Sequence, residues 1–368
     1  MNKKVVLGMS GGVDSSVAAL LLQKQGYDVY GFFMNCSPSG KPPWPSSINW
    51  KQEEKDVRAV CKKLEIELFM LDCEEGYERK VISKMFKDYS GGLTPNPDVL
   101  CNNVGKFPGL LKKAKEIGAD YIATGHYARV RKRPARPPAR KESFELLRGK
   151  DREKDQSYFL AGLGQNYLRR CLFPVGNLMK EEVRKIAKRN GFLNFDKKGS
   201  RGICYLGKID VKKFLHSRIK EKKGKIIDFE NREIGTHQGV AFFTIGEKIG
   251  EGKGTRIEDG IRNKYGGKWF VAAKKKDNVL MVAPEGHNAL KTKKIFIKGF
   301  KLVNKSDFPK TGLKARIRHL GELHKGRLRK SNGRLVWEFN RGWEGVAEGQ
   351  FIVLYKGEKM VGGGEIRL

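Results

Sequence analysis

Strand-length and helix-length apolar segments alternate over the first 124 residues of the chain. Residues 3–9 are predicted to form a short buried strand, and the segment from about Val13 to Gln25 an apolar helix that Gly26 ends. Because strands that alternate with helices of this length form βαβ units, we predict an α/β domain with a parallel sheet covered on both faces. The further strands are predicted at Tyr27–Met34, Ile66–Leu71 and Tyr121–Ala123, and the further helices at Lys51–Lys63 and Leu110–Ile117.

The pattern changes twice after this α/β segment. Residues 165–214 are mainly helical in pattern, with Lys180–Arg189 as the clearest helix. After Gly224 short strand-like runs follow at even spacing, which is typical of antiparallel barrels. The runs are Lys225–Phe229, Val240–Ile245, Trp269–Ala273, Val279–Val282, Lys294–Ile297, Leu313–Ile317, Leu335–Phe339 and Gln350–Tyr355. We therefore expect an α/β domain at 1–164, a small helical connector at 165–223, a small β domain at 224–290 and a C-terminal β-barrel-type domain at 291–368.

Lysine and arginine outnumber acidic residues by 75 to 41, so the formal net charge is +34 over 368 residues. The apolar content of 39% suffices for a large core, which excludes a disordered polycation. The longest apolar run, Val17–Leu22, is far shorter than the roughly 20 residues of a membrane span, and we expect a cytoplasmic protein with no membrane partner. Charge of this sign favours contact with nucleic acid, and a solvated basic surface is the alternative.

Two segments concentrate this positive charge. Arg129–Lys141 carries seven basic residues, no acidic one and three prolines, and we predict an extended, mobile loop. It is either an RNA-contacting arm or a surface loop particular to this lineage. Lys314–Lys330 carries seven basic residues against Glu322 alone, on predicted strands. We interpret this second segment as an RNA-facing surface, with a solvated strand face as the alternative.

A glycine-rich turn joins the first strand to the first helix. The segment Gly8–Ser16 lacks both the lysine of a Walker A loop and the spacing of a dinucleotide-binding turn. Its glycines let successive backbone N–H groups point inward, and the helix N-terminus adds about half a positive charge, so the turn is suited to bind phosphate. Asp14 is a candidate ligand of Mg²⁺, although it also fits an ordinary role in helix capping.

The six cysteines contain no Cys-x-x-Cys pair, and neither a zinc site nor an iron–sulfur site is predicted. The histidines have no ligand-like spacing either. Permanent disulfides are not expected in a chain of this length in a reducing compartment. Four cysteines are expected to be core thiols, namely Cys36, Cys61, Cys73 and Cys171.

The two remaining cysteines lie in unusual surroundings. Cys101 follows two prolines in the segment Leu93–Asn102, and Asp98 faces the same spot if a helical turn begins after Pro97. Asp98 is either an acid/base or a turn residue beside proline. Cys204 lies in a glycine-flanked loop, where nearby cations favour the reactive thiolate. These cations are Lys197, Lys198 and Arg201.

The string Ser10–Ser16 resembles the PP-loop of N-type ATP pyrophosphatases, which cleave ATP to AMP and pyrophosphate. Nearly the whole chain resembles the tRNA-specific 2-thiouridylases of that superfamily, which replace the C2 oxygen of the wobble uridine (position 34) with sulfur. The motifs that carry this resemblance are Gly8–Ser16, Phe33-Met34, Thr94–Asn102, Ala123–Tyr127, Lys154–Leu160, Phe173–Gly176, Gly202–Gly207, Gly235–Gly239 and Gly362–Gly364.

The resemblance implies a role for each of several residues. Cys101 would be the nucleophilic cysteine and Cys204 the carrier of a persulfide, with Asp98 and Asp14 also in the catalytic set. ATP would be bound by Gly8, Met9, Ser10, Gly11, Gly12, Val13, Asp14, Ser15, Met34 and Gly125. The tRNA would be contacted by Asn96, Pro97, Asp98, His126, Lys154, Asp155, Gln156, Arg316, Ile317 and Gln350. The cofactors implied are ATP and Mg²⁺, and the partners are tRNA and an upstream persulfide donor, either a cysteine desulfurase or a sulfur relay protein.

The implied reaction is an ATP-dependent sulfur transfer. Adenylylation would make the C2 oxygen of uridine a good leaving group, and the persulfide on Cys204 would then attack C2. Cys101 would attack the Cys204 sulfur, release the thiolated base and leave a disulfide for a reductant to open. Two alternatives remain: a PP-loop ligase that activates a small carboxylate or a nucleotide ring, and an RNA-binding protein with an inactive glycine loop. Activity that survives loss of Cys101 and Cys204 would favour the ligase, and tRNA binding without ATP turnover the binding protein.

Overall fold

The computed structural model describes residues 2–36, 47–134, 142–197, 199, 202–250, 254–257, 267–304 and 311–368. The helices are α1 (Val13–Lys24), α2 (Trp50–Lys63), α3 (Glu74–Tyr77), α4 (Ser83–Ser90), α5 (Pro97–Cys101), α6 (Phe107–Glu116), α7 (Gln165–Leu168), α8 (Lys180–Arg189) and α9 (Val211–His216). Two π-helical turns, Glu78–Ile82 and Asn102–Lys106, follow α3 and α5. Over the part of the chain that is described, no helix combines the length and apolar character that a membrane crossing requires.

The strands of the first half are β1 (Lys4–Met9), β2 (Asp28–Asn35), β3 (Leu68–Asp72), β4 (Tyr121–Thr124), β5 (Ala128–Arg133), β6 (Ser143–Arg148) and β7 (Cys171–Leu172). Those of the second half are β8 (Gly224–Ile227), β9 (Glu233–His237), β10 (Thr255–Ile257), β11 (Trp269–Lys275), β12 (Val279–Pro284), β13 (Lys291–Leu302), β14 (Lys314–Arg316), β15 (His324–Ser331), β16 (Arg334–Glu344), β17 (Phe351–Lys356) and β18 (Lys359–Arg367). They form three sheets.

The first sheet is parallel, with strand order β3-β2-β1-β4-β7. The side chains of β1 alternate between its two faces: Val5 and Leu7 pack in the cluster that α1, α2 and α8 cover, whereas Val6 packs with Leu110 of α6. All three β1 side chains are fully buried, as expected for a central strand covered on both sides. The predicted α/β fold is confirmed. The carboxyl ends of β1 to β4 meet at one edge, where such sheets bind ligands.

From Gly224 onward the described regular elements are strands and 3₁₀ turns, as expected of the predicted β segment. Strands β10-β9-β8-β12-β11 form a mixed sheet in which the β8–β12 pair is parallel. Strands β13-β16-β15-β14-β17-β18 form an antiparallel barrel that closes through pairing of β13 with β18. Trp337 and Ile352 lie fully buried inside this barrel. Closure removes the free edges that an open sheet of this size would expose.

The basic segment Arg129–Lys141, predicted as a mobile loop, is partly a strand. Ala128–Arg133 forms β5, which pairs antiparallel with β6. Arg131 is neutralised by Glu145 across the hairpin, at 2.6 Å, so its charge does not oppose ordered structure. Residues 135–141 of the predicted loop lie outside the described residues. Strand β6 joins the hairpin to the barrel sheet by pairing with β18, which leaves β5 as the edge strand.

Other differences have local causes. The prediction of a strand at Val240–Ile245 is wrong, because Val240–Phe242 forms a 3₁₀ turn and no strand follows it in this segment. The two-residue strand β7, inside a segment predicted as mainly helical, is too short to produce a periodic pattern. Strand β18 was not predicted because Gly362–Gly364 suggests a turn. A Cβ on Gly364 would lie 2.6 Å from Ile297, so these glycines allow the closing strand of the barrel to approach β13.

Candidate active site

The glycine-rich turn is open at the amino end of α1. Gly11 has a φ of +70°, and a Cβ there would lie 2.4 Å from a carboxylate oxygen of Glu53 in α2, so only glycine fits. The Ser15 hydroxyl donates to the Gly12 carbonyl at 3.0 Å and accepts from the Ser10 amide at 3.3 Å. Gly12 occupies the N-cap of α1 without a side-chain hydrogen bond to the helix. The first amides of α1 thus have no side-chain cap, and the prediction that this turn binds phosphate depends on these groups.

The loop after β4 presses against this turn. A Cβ on Gly125 would lie 2.8 Å from the amide nitrogen of Ser15 and 2.9 Å from the carbonyl carbon of Asp14. Both are backbone atoms that cannot move aside without changing the turn. Gly125 is thus brought to the glycine-rich turn, where the family resemblance assigns it to the nucleotide.

Asp14 is already engaged by two donors. Its Oδ1 accepts hydrogen bonds from the Tyr127 hydroxyl at 2.8 Å and from the Lys180 ammonium at 2.6 Å. A cation on Asp14 would compete with Lys180 for this carboxylate, so the donor set does not favour Mg²⁺. Among the described residues there is no group of three potential metal-ligating side chains. Lys180 was not predicted as a site residue because it lies 166 positions from Asp14.

Lys197 also belongs to the glycine-rich turn and not to Cys204. Its ammonium contacts the Gly11 carbonyl at 3.3 Å and forms ion pairs with Glu53 and Asp56 of α2 at 2.9 and 2.7 Å. The expectation that Lys197 activates Cys204 is therefore wrong, because these carboxylates hold it elsewhere. The other two cations of that expectation, Lys198 and Arg201, lie outside the described residues.

Cys101 closes a short helix whose start is fixed by its sequence. Asn96 is the N-cap of α5 and accepts from the Val99 amide at 3.1 Å, while Pro97 occupies the first turn. The helical turn after Pro97 is thus present as predicted. The chain continues without a break through the π-helical turn Asn102–Lys106 into α6. Such turns recur at functional sites.

The loop that carries Cys204 is a tight turn, which a hydrogen bond links to α5. The amide of Ile203 donates to the carbonyl of Gly207 at 3.0 Å, and a Cβ on Gly202 would lie 1.9 Å from that oxygen. The Cys204 amide donates to Oδ1 of Asp98 at 2.7 Å. Asp98 therefore positions the second cysteine, a contact that neither of its two predicted roles includes. Burial raises the pKa of Asp98, and the opposing effects of this hydrogen bond and of Lys106 do not offset it.

The two cysteines meet at this point. Cys101 Sγ lies 3.5 Å from Cys204 Sγ, and the Lys106 ammonium lies 3.6 Å from Cys204 Sγ. Cys101 is only 1% exposed, whereas Cys204 is half-buried. The hydrogen bond to Cys204, together with burial, raises the pKa of Cys101 well above that of an ordinary thiol. The hydrogen bond from Cys101 lowers the pKa of Cys204, and although burial opposes it, the nearby Lys106 keeps the net shift downward.

Aromatic side chains enclose the pair. Tyr205 has a φ of +64°, and its ring stacks on Trp50 at 6.0 Å and meets the edge of Tyr77 at 5.4 Å. The Tyr77 hydroxyl donates to the Cys204 carbonyl, and the Tyr205 hydroxyl lies 3.6 Å from the sulfur of Met34. Trp50 begins α2, the helix that also carries Glu53 against the glycine-rich turn. One helix thus joins the nucleotide turn to the cysteine pair.

A disulfide joins Cys36 to Cys73, which corrects the expectation that both are core thiols. The two residues follow adjacent parallel strands, β2 and β3, whose carboxyl ends bring their Cα atoms to 5.0 Å. Cys61 and Cys171 are buried free thiols, as predicted. Spacing along the sequence does not show which strands are neighbours, so this pairing was not predictable from it.

Three family models match the chain in succession. They describe a tRNA methyl transferase HUP domain at 3–208, a tRNA methyl transferase PRC-barrel domain at 212–284 and an aminomethyltransferase beta-barrel domain at 292–366. Two proteins described as tRNA-specific 2-thiouridylase MnmA are each 37% identical to this chain over 371 residues, with 99% of both sequences covered. They come from Francisella tularensis subsp. novicida (strain U112) and subsp. mediasiatica (strain FSC147). The chain belongs to the tRNA-specific 2-thiouridylase family.

Solved structures give more distant matches. An NMN synthetase from Francisella tularensis is 19% identical with a TM-score of 0.32, over 54% of this chain and 67% of that one. A 4-thiouridine synthetase in complex with RNA and bound ATP is 18% identical with a TM-score of 0.35, over 58% of this chain and 50% of that one.

Several residues that the thiouridylase resemblance assigns to tRNA are buried. Asp155 is fully buried and forms an ion pair with Arg316, itself 3% exposed, at 2.9 Å. Ile317 and His126 are buried too, and burial, with Lys106 adding to it, lowers the pKa of His126 well below its ordinary value. Lys154 beside Asp155 is exposed. The buried side chains shape the surface that Lys154 occupies, and do not themselves face solvent.

Two further members of that set join the barrel to the helix that carries Cys101. The Gln350 side chain accepts a hydrogen bond from Nδ2 of Asn96 at 3.3 Å and donates to the backbone carbonyls of Thr94 and Pro95 at 3.0 and 3.1 Å. The backbone amide of Tyr127 donates a hydrogen bond to Oε1 of Gln156 at 3.0 Å. The structure thus brings Asn96 and Gln350 together, although 254 positions separate them.

The predicted basic strand surface is present. On β15, exposed side chains alternate with inward-facing ones, and Lys314 on the adjacent β14 is exposed too. Arg316 is the exception because it turns inward to Asp155. The exposed basic residues of β15 are Lys325, Arg327, Arg329 and Lys330.

Proposed function

We propose that this chain catalyses ATP-dependent 2-thiolation of the wobble uridine (position 34) of tRNA, with sulfur delivered from a persulfide on Cys204. The observation that carries the proposal is the 3.5 Å separation of Cys101 and Cys204 in a member of the 2-thiouridylase family. A dithiol at this distance suits a reaction in which one sulfur atom is delivered and the carrier sulfur is then attacked by its neighbour.

The glycine-rich turn would bind the ATP phosphates. The amides at the start of α1 have no side-chain cap and are suited to bind an anion, and Gly125 allows the β4 loop to lie against the same turn. Lys180 and Lys197 place ammonium groups at the same turn, where they would donate hydrogen bonds to pyrophosphate as it leaves. Met34, buried beside Tyr205, would lie between the nucleotide and the cysteines. Because Asp14 forms an ion pair with Lys180, the proposed reaction includes no step that depends on magnesium at Asp14.

The sulfur step follows from the difference between the two thiols. Cys204 is the more exposed and the more acidic, so it would accept sulfur from a protein persulfide. The terminal sulfur of the resulting Cys204 persulfide would attack C2 of the adenylylated uridine and displace AMP. Cys101 would then attack Cys204 Sγ, which releases 2-thiouridine and leaves a Cys101–Cys204 disulfide for an external thiol to reduce. Asp98, with its raised pKa, would hold the Cys204 loop and exchange a proton at the base.

The protein would contact the tRNA at several separate places. The uridine must leave the anticodon stack for C2 to be reached, which requires contacts to the flanking backbone. We propose that Asn96, Pro97 and Lys154 contact the anticodon region, and that Gln350 orients the first two. The basic face of β15 would contact phosphates farther away.

The test is reconstitution with the full chain. Purified protein is incubated with ATP, a persulfide-loaded cysteine desulfurase and an unmodified tRNA transcript, and the nucleosides are identified by mass spectrometry. We expect ATP-dependent 2-thiouridine at position 34, lost in Cys101→Ser and in Cys204→Ser and retained in the control Cys61→Ala. Full activity in both serine variants, with AMP produced on a small carboxylate, would support a ligase instead. Binding of tRNA without AMP formation would reject the enzymatic proposal altogether.

A further inference from the structure

Lys106 was not among the predicted site residues, yet it contacts the reactive sulfur. It is the last residue of the π-helical turn that begins directly after Cys101. Residues five apart are linked across a π-helical turn, whereas in a regular α-helix the neighbours on one face are three or four apart. The turn therefore brings Lys106 to the side of Cys101, 3.6 Å from Cys204 Sγ and 5.6 Å from the centre of the Tyr205 ring.

One of the side chains that surround Cys204 is positively charged. Among the described residues, those that face it are Cys101 and Asp98 from α5, Tyr77 from α3, the adjacent Tyr205, and Lys106. Lys106 is the positive member of this set. Burial opposes the charge of Lys106, but the neighbouring Cys204, Cys101 and Asp98 outweigh that effect and raise the pKa of its ammonium.

We propose that Lys106 is a catalytic residue whose ammonium is the counter-ion of the Cys204 sulfur, and that this contact selects Cys204 over Cys101 as the sulfur acceptor. The inference rests on the proposed function. Cys101, buried and directed at Cys204 Sγ, remains the protonated partner until the last step. The division of labour between two cysteines thus depends on the position of one lysine and not on the general positive charge of the chain.

Each step of the cycle keeps an anion beside Lys106. The Cys204 thiolate attacks the terminal sulfur of a donor protein persulfide, the donor S–S bond breaks, and the donor cysteine leaves as a thiolate. The Cys204 persulfide anion next attacks C2 and expels AMP. Cys101 finally attacks Cys204 Sγ, the C2-bound sulfur departs with the electron pair of the broken S–S bond, and the proton of the Cys101 thiol passes to the released 2-thiouracil ring. The cysteines are oxidised to a disulfide in this step, and a low-molecular-weight thiol reduces it.

The decisive measurement needs neither tRNA nor ATP. Full-length protein is alkylated with iodoacetamide over a range of pH, and the rate at Cys204 is followed by peptide mass spectrometry. We expect Lys106→Met to raise the midpoint for Cys204 by about one to three pH units, because the opposite charge is lost. Near neutral pH this is a fall of about tenfold or more in rate. Lys106→Arg should keep a midpoint close to that of the unmodified chain.

The control is Lys112→Met, since Lys112 lies on α6 with an exposed side chain. It should leave the Cys204 midpoint unchanged. Lys106→Gln, which keeps a polar side chain of similar length, serves if Lys106→Met unfolds on heating below the control. An unchanged midpoint in folded Lys106→Met or Lys106→Gln overturns the proposal. A shifted midpoint in a chain that makes no 2-thiouridine would reject the proposed function and leave the Lys106–Cys204 pair established.

Discussion

Cys101 and Cys204 stand 103 positions apart in the sequence, and their sulfur atoms lie 3.5 Å apart in the folded chain. The hydrogen bond from the Cys204 amide to Asp98 fixes one side of this approach. The fold thus brings together two thiols that are distant in the sequence.

This proximity predicts rapid formation of a Cys101–Cys204 disulfide. A mild oxidant such as diamide should link the two in free protein within minutes, because little backbone movement is needed. Non-reducing peptide mapping measures the product. Cys61→Ala should behave like the unmodified chain, whereas Asp98→Asn should slow the reaction by loosening the Cys204 loop. Linkage that requires added tRNA would contradict the prediction.

Gly125→Ala should damage the nucleotide turn. The new methyl group would meet backbone atoms of Asp14 and Ser15 at 2.9 and 2.8 Å, closer than real Cβ atoms approach. We expect ATP affinity to fall by about tenfold or more, equivalent to at least ~1.4 kcal/mol, measured by titration calorimetry. The matched control is Gly164→Ala, whose Cβ meets nothing within 4 Å. Equal affinities in the two variants would show that Gly125 is not needed at the turn.

Asp155→Asn should destabilise the fold. Burial alone would raise the pKa of Asp155, but hydrogen bonds from Arg148, Ser157 and Gly149 outweigh it and hold that pKa below its ordinary value. The substitution leaves buried Arg316 without its ion partner at 2.9 Å and should cost about 3–5 kcal/mol in urea unfolding.

The control for that measurement is Glu153→Gln, at an exposed neighbouring position. Because the folded pKa of Asp155 is depressed, its contribution is complete above the unfolded value near 4 and is lost as the pH falls through the folded value. The stability difference between the unmodified chain and Asp155→Asn should therefore shrink below about pH 4. A difference that is constant from pH 7 to 3 would argue against an ionised Asp155.

Affinity for tRNA should depend steeply on salt. A double variant, Lys325→Gln with Arg327→Gln, removes two exposed charges of β15 and should reduce the slope of log affinity against log salt by about two. Lys24→Gln, exposed at the end of α1, is the control and should leave the slope unchanged. Fluorescence titration of labelled tRNA at several salt concentrations measures both. An unaltered slope in the double variant would place the RNA on another face.

Much of the fold follows from local pattern, whereas the site depends on contacts that pattern does not contain. The helix at Lys180–Arg189 was predicted with its observed bounds because its apolar positions repeat at helical spacing and Gly191 follows. The position of Cys101 after a helical turn was predictable from Asn96-Pro97 for the same kind of reason.

The groups that were not predicted reach the site from distant parts of the chain or through irregular backbone. Lys180 meets Asp14 across 166 positions, and Lys106 reaches Cys204 because a π-helical turn changes which residues share a side. Lys197 shows the converse error, since proximity in sequence suggested Cys204 while Glu53 and Asp56 hold it at the glycine-rich turn. The number of basic residues near Cys204 in the sequence therefore did not identify Lys106 as the cation that contacts its sulfur.

The β5–β6 hairpin connects the loop of Gly125 with the turn between β17 and β18. Its first residue, Ala128, comes three positions after Gly125, and its arginine Arg129 forms an ion pair at 2.7 Å with Glu358, in the turn between β17 and β18. Arg152, just beyond the hairpin, binds the same carboxylate. The hairpin therefore joins the barrel to the loop of Gly125 both through the chain and through two ion pairs on one carboxylate.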